Sequence, residues 1–257
     1  MKILILAGGQ QSTISDSNAG IPKPMADIGG KPILWHIMKY FSSYGFNDYI
    51  VCGGYKVDII KEYFMDYYIY QSDICVNLRD NTIDILKKRT EDWNVMVMDT
   101  GLYSTTGQRI SMAQKYIGDE DFIVSYGDVL SDIDIEGLVR KHKESGKIAT
   151  MAVAQPAGRH EIMDIDSEGQ LVGYGNLPEG RRAWTNASVF VFKPEVFNYL
   201  LGSYELEKQL SDNLVPKGQV DTFKHPGFWI PIETKRDRVK AENLWNAGIA
   251  PWKRWED

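Results

Sequence analysis

Apolar residues in this chain fall into two recurring arrangements: short unbroken runs that stop at glycine, and longer stretches with helical spacing. The first run is Lys2-Ile3-Leu4-Ile5-Leu6-Ala7, closed by Gly8-Gly9. A continuous apolar run of this length, without polar alternation, indicates a strand buried on both faces of a parallel sheet. Similar runs occur at Asp48-Tyr49-Ile50-Val51-Cys52, Val95-Met96-Val97-Met98-Asp99, Asp121-Phe122-Ile123-Val124-Ser125-Tyr126, residues 148–153 and Ala187-Ser188-Val189-Phe190-Val191-Phe192. Between them lie helical patterns. Ile33, Leu34, Ile37, Met38 and Phe41 follow helical spacing after Pro32, and further helices are expected at 57–70, 110–116, 135–145, 194–201, 206–214 and 235–247. Strands alternating with helices imply right-handed crossovers and a parallel sheet.

Two stretches break the alternation. Residues 73–90 alternate weakly around Asp80-Asn81 and predict a hairpin. Residues 155–178 change to short strands and turns, including Ser167-Glu168-Gly169, and predict an antiparallel addition beside the ligand crevice. The expected fold is α/β and Rossmann-like: a mostly parallel mixed sheet flanked by helices, with a small antiparallel addition, in one domain spanning 1–257.

Charge narrows the partners. Lys plus Arg is 29 against 35 Asp plus Glu, a net −6, which argues against a nucleic-acid binder. Nucleotides remain open, because backbone N–H groups, one lysine and a metal suffice for phosphate. Cys52 and Cys75 sit in strand contexts without metal-ligand spacing and are expected as buried thiols of a reducing cytosol. No segment approaches the roughly 20 apolar residues of a membrane span. The chain enters a strand at once, so no cleavable signal peptide is expected and the location is read as cytoplasmic.

Ligands in open α/β sheets bind outside the carboxyl ends of the strands, which would put Gly8, Gly9, Gly53, Gly101 and Asp128 on one rim. Lys23 lies between Pro22 and Pro24, so a stiff loop presents one cation. Asp128 and Glu233 each follow a strand-like run, and one or two carboxylates with phosphate oxygens are enough for magnesium. The plainer alternatives are that Asp128 caps the next turn and Glu233 the closing helix. Asp132 and Asp134 are read as solvated or capping groups, and His36 as packed. Arg109 either meets a nucleotide or is exposed at a helix start; Trp229 either flanks an acceptor or packs in the core. Tyr67, Tyr68 and Tyr70 are read as core or interface.

Several motifs together resemble the sugar-1-phosphate nucleotidyltransferases, and within them the glucose-1-phosphate cytidylyltransferases. They are Leu6-Ala7-Gly8-Gly9, Pro22-Lys23-Pro24-Met25, the stretch from Ile28 to Met38, and Asp99-Thr100-Gly101. Tyr126-Gly127-Asp128, Gln155-Pro156 with Gly158-Arg159, Gly227-Phe228-Trp229 and Ala250-Pro251-Trp252-Lys253-Arg254-Trp255 extend the resemblance over nearly the whole chain. It implies attack of a sugar phosphate on the α-phosphorus of CTP, with magnesium as cofactor and a homo-oligomeric assembly. It further implies that Leu6, Ala7, Gly8, Gly9, Thr100, Gly101, Thr106, Gly127 and Asp128 surround the nucleotide. Lys23 would neutralise phosphate as the catalytic cation, Gly158, Asn186 and Trp229 would meet the acceptor, and Asp128 with Glu233 would hold the metal.

The chain also departs from that pattern. Gln11 and Thr13 stand where the family has glycine and arginine, Leu177 where it has a phosphate-binding lysine, and Glu233 where it has aspartate. Asn186-Ala187-Ser188 replaces an N-G-G sequence. Two readings follow: an enzyme of this type, with a changed phosphorylated acceptor as one form of it, or a homologue that binds a nucleotide or partner without turnover.

Overall fold

The computed structural model describes residues 1–9, 20–87, 90–155, 163–166, 169–174 and 184–256. The chain opens with β1 (Ile3–Ala7), all of it buried. A minimal ribbon of β2 (Asp27–Ile28) and β3 (Lys31–Pro32) leads into α1 (Ile33–Ser42) and β4 (Asp48–Gly53). Next come α2 (Val57–Met65), the one-turn α3 (Tyr67–Tyr70), and the hairpin strands β5 (Asp73–Asn77) and β6 (Thr82–Lys87). β7 (Asn94–Asp99), α4 (Thr106–Ile117), β8 (Phe122–Tyr126), β9 (Val129–Ser131), α5 (Ile135–Ser145) and β10 (Ala149–Ala154) follow. The remainder comprises β11 (Met163–Ile165), β12 (Leu171–Tyr174), β13 (Thr185–Phe192), α6 (Leu206–Asn213), β14 (Val220–His225), β15 (Trp229–Pro231) and α7 (Lys235–Asn246).

Seven strands form the central sheet in the order β14-β10-β13-β8-β1-β4-β7. Every neighbouring pair is parallel except those of β13, which runs against β10 and β8. The mostly parallel mixed sheet expected from the apolar runs is therefore present. Its inner strands are buried on both faces: Ile3, Ile5 and Ala7 join the core under α1 and α5, while Leu4 and Leu6 join the one under α4 and α6. β7, expected as a buried strand, lies at the sheet edge with no neighbour beyond it and is only partly covered, Met96 being exposed. Antiparallel β11 and β12 supply the small addition.

Boundaries shift in three places. The expected 57–70 helix breaks at Asp66, and the 194–201 helix is a 3-10 turn over Pro194–Asn198. The expected 110–116 helix begins earlier, at Thr106, where Thr105 and Gln108 form a capping box. Cys75 is exposed on β5, not buried as expected, whereas Cys52 is buried and its thiol is pushed up to about 12 by burial.

His36 is packed, as expected, and its protonation state is determined by its neighbours. Its Nε2 lies 2.8 Å from the Ile28 carbonyl, and Trp252 Nε1 donates to its Nδ1 at 3.4 Å. Only the neutral ring with the proton on Nε2 satisfies both. Burial lowers its pKa to about 4. Because the folded value is below the unfolded one, this contribution is complete above about pH 6.5 and is lost as pH falls toward 4, by up to about 3 kcal/mol. A His36→Gln variant is expected to lose less stability than the parent between pH 7 and 4. Urea titrations at both pH values check this, and equal losses in the two proteins would count against it.

Candidate active site

The carboxyl ends of β1, β4, β7 and β8 make one rim, and α4 supplies what lies beneath it. Arg109, in the first turn of that helix, is 3% exposed. Its guanidinium donates to the carbonyls of Gly8 (2.6 Å), Gly53 (3.2 Å), Gly101 (2.8 Å) and Leu102 (3.4 Å), and to Thr100 Oγ1 (2.6 Å). A cation at a helix start, expected either to meet nucleotide or to be exposed, is instead buried among acceptors from the loops after β1, β4 and β7. Burial draws its pKa below the usual guanidinium value.

Two of the residues expected around the nucleotide also serve this arginine. A Cβ on Gly8 would lie 2.1 Å from the Arg109 guanidinium carbon, so that glycine makes room for the arginine while still lining the cleft. Gly9 meets no such neighbour and opens into the cleft. The Thr100 hydroxyl donates to Gly53 O at 2.6 Å and accepts from Arg109, so it ties the rim together.

The rim borders a cleft of about 330 Å³, lined by Gly9, Tyr103, Thr106, Tyr126, Asp128 and Glu205 among others. Leu6 lines it as well, while Ala7 is buried in the core. Thr106 is committed to α6: its hydroxyl donates to Glu205 Oε2 at 2.7 Å and accepts the Leu206 N–H at 2.7 Å. Tyr103 is almost fully exposed at the lip.

Lys23 and Asp128 meet at this cleft. Lys23 Nζ is 2.9 Å from Asp128 Oδ2, and each side chain is about a quarter exposed (25% and 24%). Asp128 is therefore paired with Lys23 rather than capping the next turn. Gly127 donates its N–H to Leu6 O at 2.9 Å, which registers the loop after β8 against β1. Glu233 is exposed, and its chain neighbour Ile232 donates its N–H to Asp128 O at 2.7 Å, which brings the Glu233 backbone to the same rim. It does not cap α7; Thr234 does, in a capping box with Asp237. Asp134 caps α5 through Gly137 N, as expected, whereas Asp132 accepts the distant Phe228 N–H.

The acceptor candidates gather at the start of β13. Asn186 Nδ2 donates to Glu207 Oε1 at 2.9 Å, and Tyr126 OH donates to the same oxygen at 2.5 Å. Burial and then the Glu207 carboxylate push the Tyr126 pKa well above its ordinary value, which keeps the phenol a donor. Trp229 Nε1 donates to Ala187 O at 3.1 Å. Gly158, Gln11, Thr13 and Leu177 lie outside the described residues. Sequence reasoning missed Glu205, Glu207 and the buried role of Arg109. The Thr105-x-x-Gln108 signature could have placed Arg109 inside the first helical turn, but nothing in the sequence ties α6 to this rim.

Ser188, at the third position of that Asn-Ala-Ser sequence, has φ +64 beside an irregularity in the β10–β13 register. Left-handed backbone costs an L-residue about 1–2 kcal/mol, and glycine returns part of that as chain entropy. Ser188→Gly is expected to stabilise the fold by about 0.5–1 kcal/mol, read as an upward shift of the thermal midpoint. An unchanged or lower midpoint would mean the Ser188 side chain is worth more than its strain.

A protein-family model described as nucleotidyl transferase matches residues 2–218. Over the full length of both chains, this one is 42% identical to the glucose-1-phosphate cytidylyltransferase of Salmonella typhi. Among solved structures, HddC from Yersinia pseudotuberculosis complexed with GMP-PN is similar with a TM-score of 0.71 at 22% identity, covering 95% of this chain and 99% of that one. A UDP-glucose pyrophosphorylase complexed with UDP-glucose reaches a TM-score of 0.73 at 14% identity, covering 96% and 98%. At those identities the two structures bear on fold alone. The full-length relative and the family match together establish kinship: the chain belongs to the nucleotidyl transferase family.

Proposed function

We propose that this protein transfers the cytidylyl group of CTP to a sugar 1-phosphate, releasing pyrophosphate. The observation that carries the reading is the meeting of Lys23 and Asp128 at the cleft, with Glu233 brought to the same rim by the Ile232–Asp128 hydrogen bond. A sugar-phosphate oxygen forms a bond to the α-phosphorus while the bond from that phosphorus to the β-phosphate bridging oxygen breaks. Pyrophosphate carries away the electron pair. Such chemistry depends on positioning and on charge placed where it develops.

Lys23 exchanges Asp128 for phosphate oxygens as the nucleotide enters, which frees the carboxylate. Asp128 and Glu233 are hard oxygen donors of the number magnesium takes from protein, the rest coming from phosphate and water. Magnesium held there would neutralise charge on the phosphate oxygens. Gly9 and Tyr103 border the space for the nucleoside, and Asn186 and Trp229 border that for the sugar. Unpaired thiols at Cys52 and Cys75 suit a cytosolic setting.

Pyrophosphate release from CTP with glucose 1-phosphate and magnesium tests the reading. Release that depends on both substrates supports it. CTP binding by calorimetry without release, across a panel of sugar phosphates, would favour the non-catalytic homologue.

We propose a second copy of this chain as a partner. The hairpin of β5 and β6 pairs Ile74 with Ile85 and Val76 with Ile83, so these four share one face, and Ile74, Val76 and Ile83 are exposed. An isolated two-stranded hairpin is marginal in water. Light scattering is expected to give a multiple of the 29.2 kDa chain mass, reduced by Val76→Lys. A monomer in the parent would refute this assembly.

A further inference from the structure

β9 and β15 form a ribbon separate from the central sheet. β9 continues from the central strand β8, and β15 follows the edge strand β14. The ribbon therefore links the carboxyl ends of two strands that are separated in the sheet by β13 and β10. Its pairs are Trp229 with Ser131, Ile230 with Leu130 and Pro231 with Val129. Ile232 N–H on Asp128 O closes one end at 2.7 Å, and Asp132 N–H on Phe228 O closes the other at 3.1 Å. So short a ribbon, containing a proline that donates nothing, is marginal on its backbone bonds alone, and burial of Leu130, Ile230 and Ile232 selects the face it turns inward.

The Asp132 end adds a polar tie to that burial. Asp132 Oδ1 accepts the Phe228 N–H at 2.6 Å and lies 3.0 Å from His225 Nε2. The same Nε2 faces Phe228 O at 3.0 Å, so both of its neighbours are acceptors and it carries the hydrogen. His225 is 5% exposed, ends β14 and pairs with Ala154 of β10, which anchors this cluster to the central sheet. Gly227 lies within it: a Cβ there would be 2.6 Å from Asp132 Oδ1 and 2.7 Å from His225 Cε1. A loop held this closely cannot slide.

We propose that Asp132 is a positioning residue: through His225 and the Phe228 amide it sets the β9–β15 register and so holds Glu233 beside Asp128. The inference rests on the metal-and-nucleotide reading of the site. In the observed register Ile232 lies against Asp128, and Glu233 is the next residue along. A one-residue slip would move Glu233 by about 3.4 Å and reverse its face. Asp128 would stay, held by Lys23 and by its connection to β8.

The test compares Asp132→Ala with Asp132→Asn, since asparagine keeps an oxygen for both N–H donors. In Asp132→Ala the Ile232 amide, at the opposite end of the ribbon, is expected to exchange hydrogen about tenfold faster while β8 amides are unchanged. Calorimetric affinity for Mn²⁺ in the presence of CTP is expected to fall about 10–100-fold, as for other residues that orient metal ligands. Asp132→Asn is expected to resemble the parent in both readouts. Unchanged Ile232 protection in Asp132→Ala, or faster exchange with unchanged Mn²⁺ affinity, overturns the proposal. A parent that binds no Mn²⁺ with CTP refutes the nucleotidyl-transfer reading instead, and the exchange data then decide the register claim alone. If Asp132→Ala does not fold, His225→Asn takes its place, with the same two changes expected and the same outcomes overturning the claim.

Discussion

Replacing Lys23 with alanine is expected to lower pyrophosphate release from CTP about 10²–10³-fold while leaving the fold nearly as stable. The two effects separate by magnitude. The Lys23–Asp128 pair is part-buried but borders the cleft, where water can reach the carboxylate left behind, so its loss costs about 1–2 kcal/mol of stability, a few degrees in the thermal midpoint of a chain this size. A donor aimed at charge that grows during phosphoryl transfer is worth about 2.7–4 kcal/mol, and each 1.4 kcal/mol is roughly tenfold in rate. The same substitution removes the cation that competes for Asp128, so half-saturation by magnesium is expected at a lower concentration. Lys23→Arg, which keeps the charge, is expected to retain more activity. Steady-state rates at saturating magnesium, together with thermal melts, check this. Parent-like activity in Lys23→Ala would remove Lys23 from the chemistry.

The second large effect is expected at Arg109 and bears on the fold and the cleft together. Arg109→Ala leaves four carbonyls and the Thr100 hydroxyl without their shared donor. Each buried acceptor left unpaired costs about 1–3 kcal/mol, but water entering from the adjoining cleft can replace part of the loss. A net destabilisation of about 3 kcal/mol is therefore expected, with weaker CTP binding because the loops after β1 and β7 lose their common tie. Lysine cannot substitute, since a single ammonium lacks the planar fork that reaches several loops at once. Gly8→Ala is expected to be comparably harmful in the parent, because its Cβ would meet the guanidinium. In an Arg109→Ala background that penalty should shrink, giving a clear coupling in a double-mutant cycle measured by urea unfolding. Additive penalties would mean that Gly8 is constrained by something other than Arg109.

Much of the architecture was legible from local pattern. The apolar runs at β1, β4, β8, β10 and β13 read as buried strands, because a strand enclosed on both faces has no polar alternation to hide it, whereas the equally apolar β7 proves to be a partly exposed edge strand. The hairpin around Asp80-Asn81 was equally legible, and Asn81 adopts φ +52 there, a conformation asparagine tolerates. Lys23 and Asp128 were named as one site's cation and carboxylate, and they meet at 2.9 Å.

What the sequence by itself determined is the set of short-range choices: which runs are buried strands, where caps and turns fall, and that a stiff Pro-Lys-Pro loop presents a cation. Only the tertiary structure decided how distant side chains are shared. Arg109 read as a surface or ligand-facing residue because its five acceptors come from loops up to about a hundred positions away. Glu207 joins Tyr126 to Asn186, and Asp132 joins β9 to His225 and Phe228, across separations that no periodicity encodes. The physical reason is that hydrophobic period is a property of one segment against one core. A polar group's partner depends on which loops the sheet order brings to the same edge.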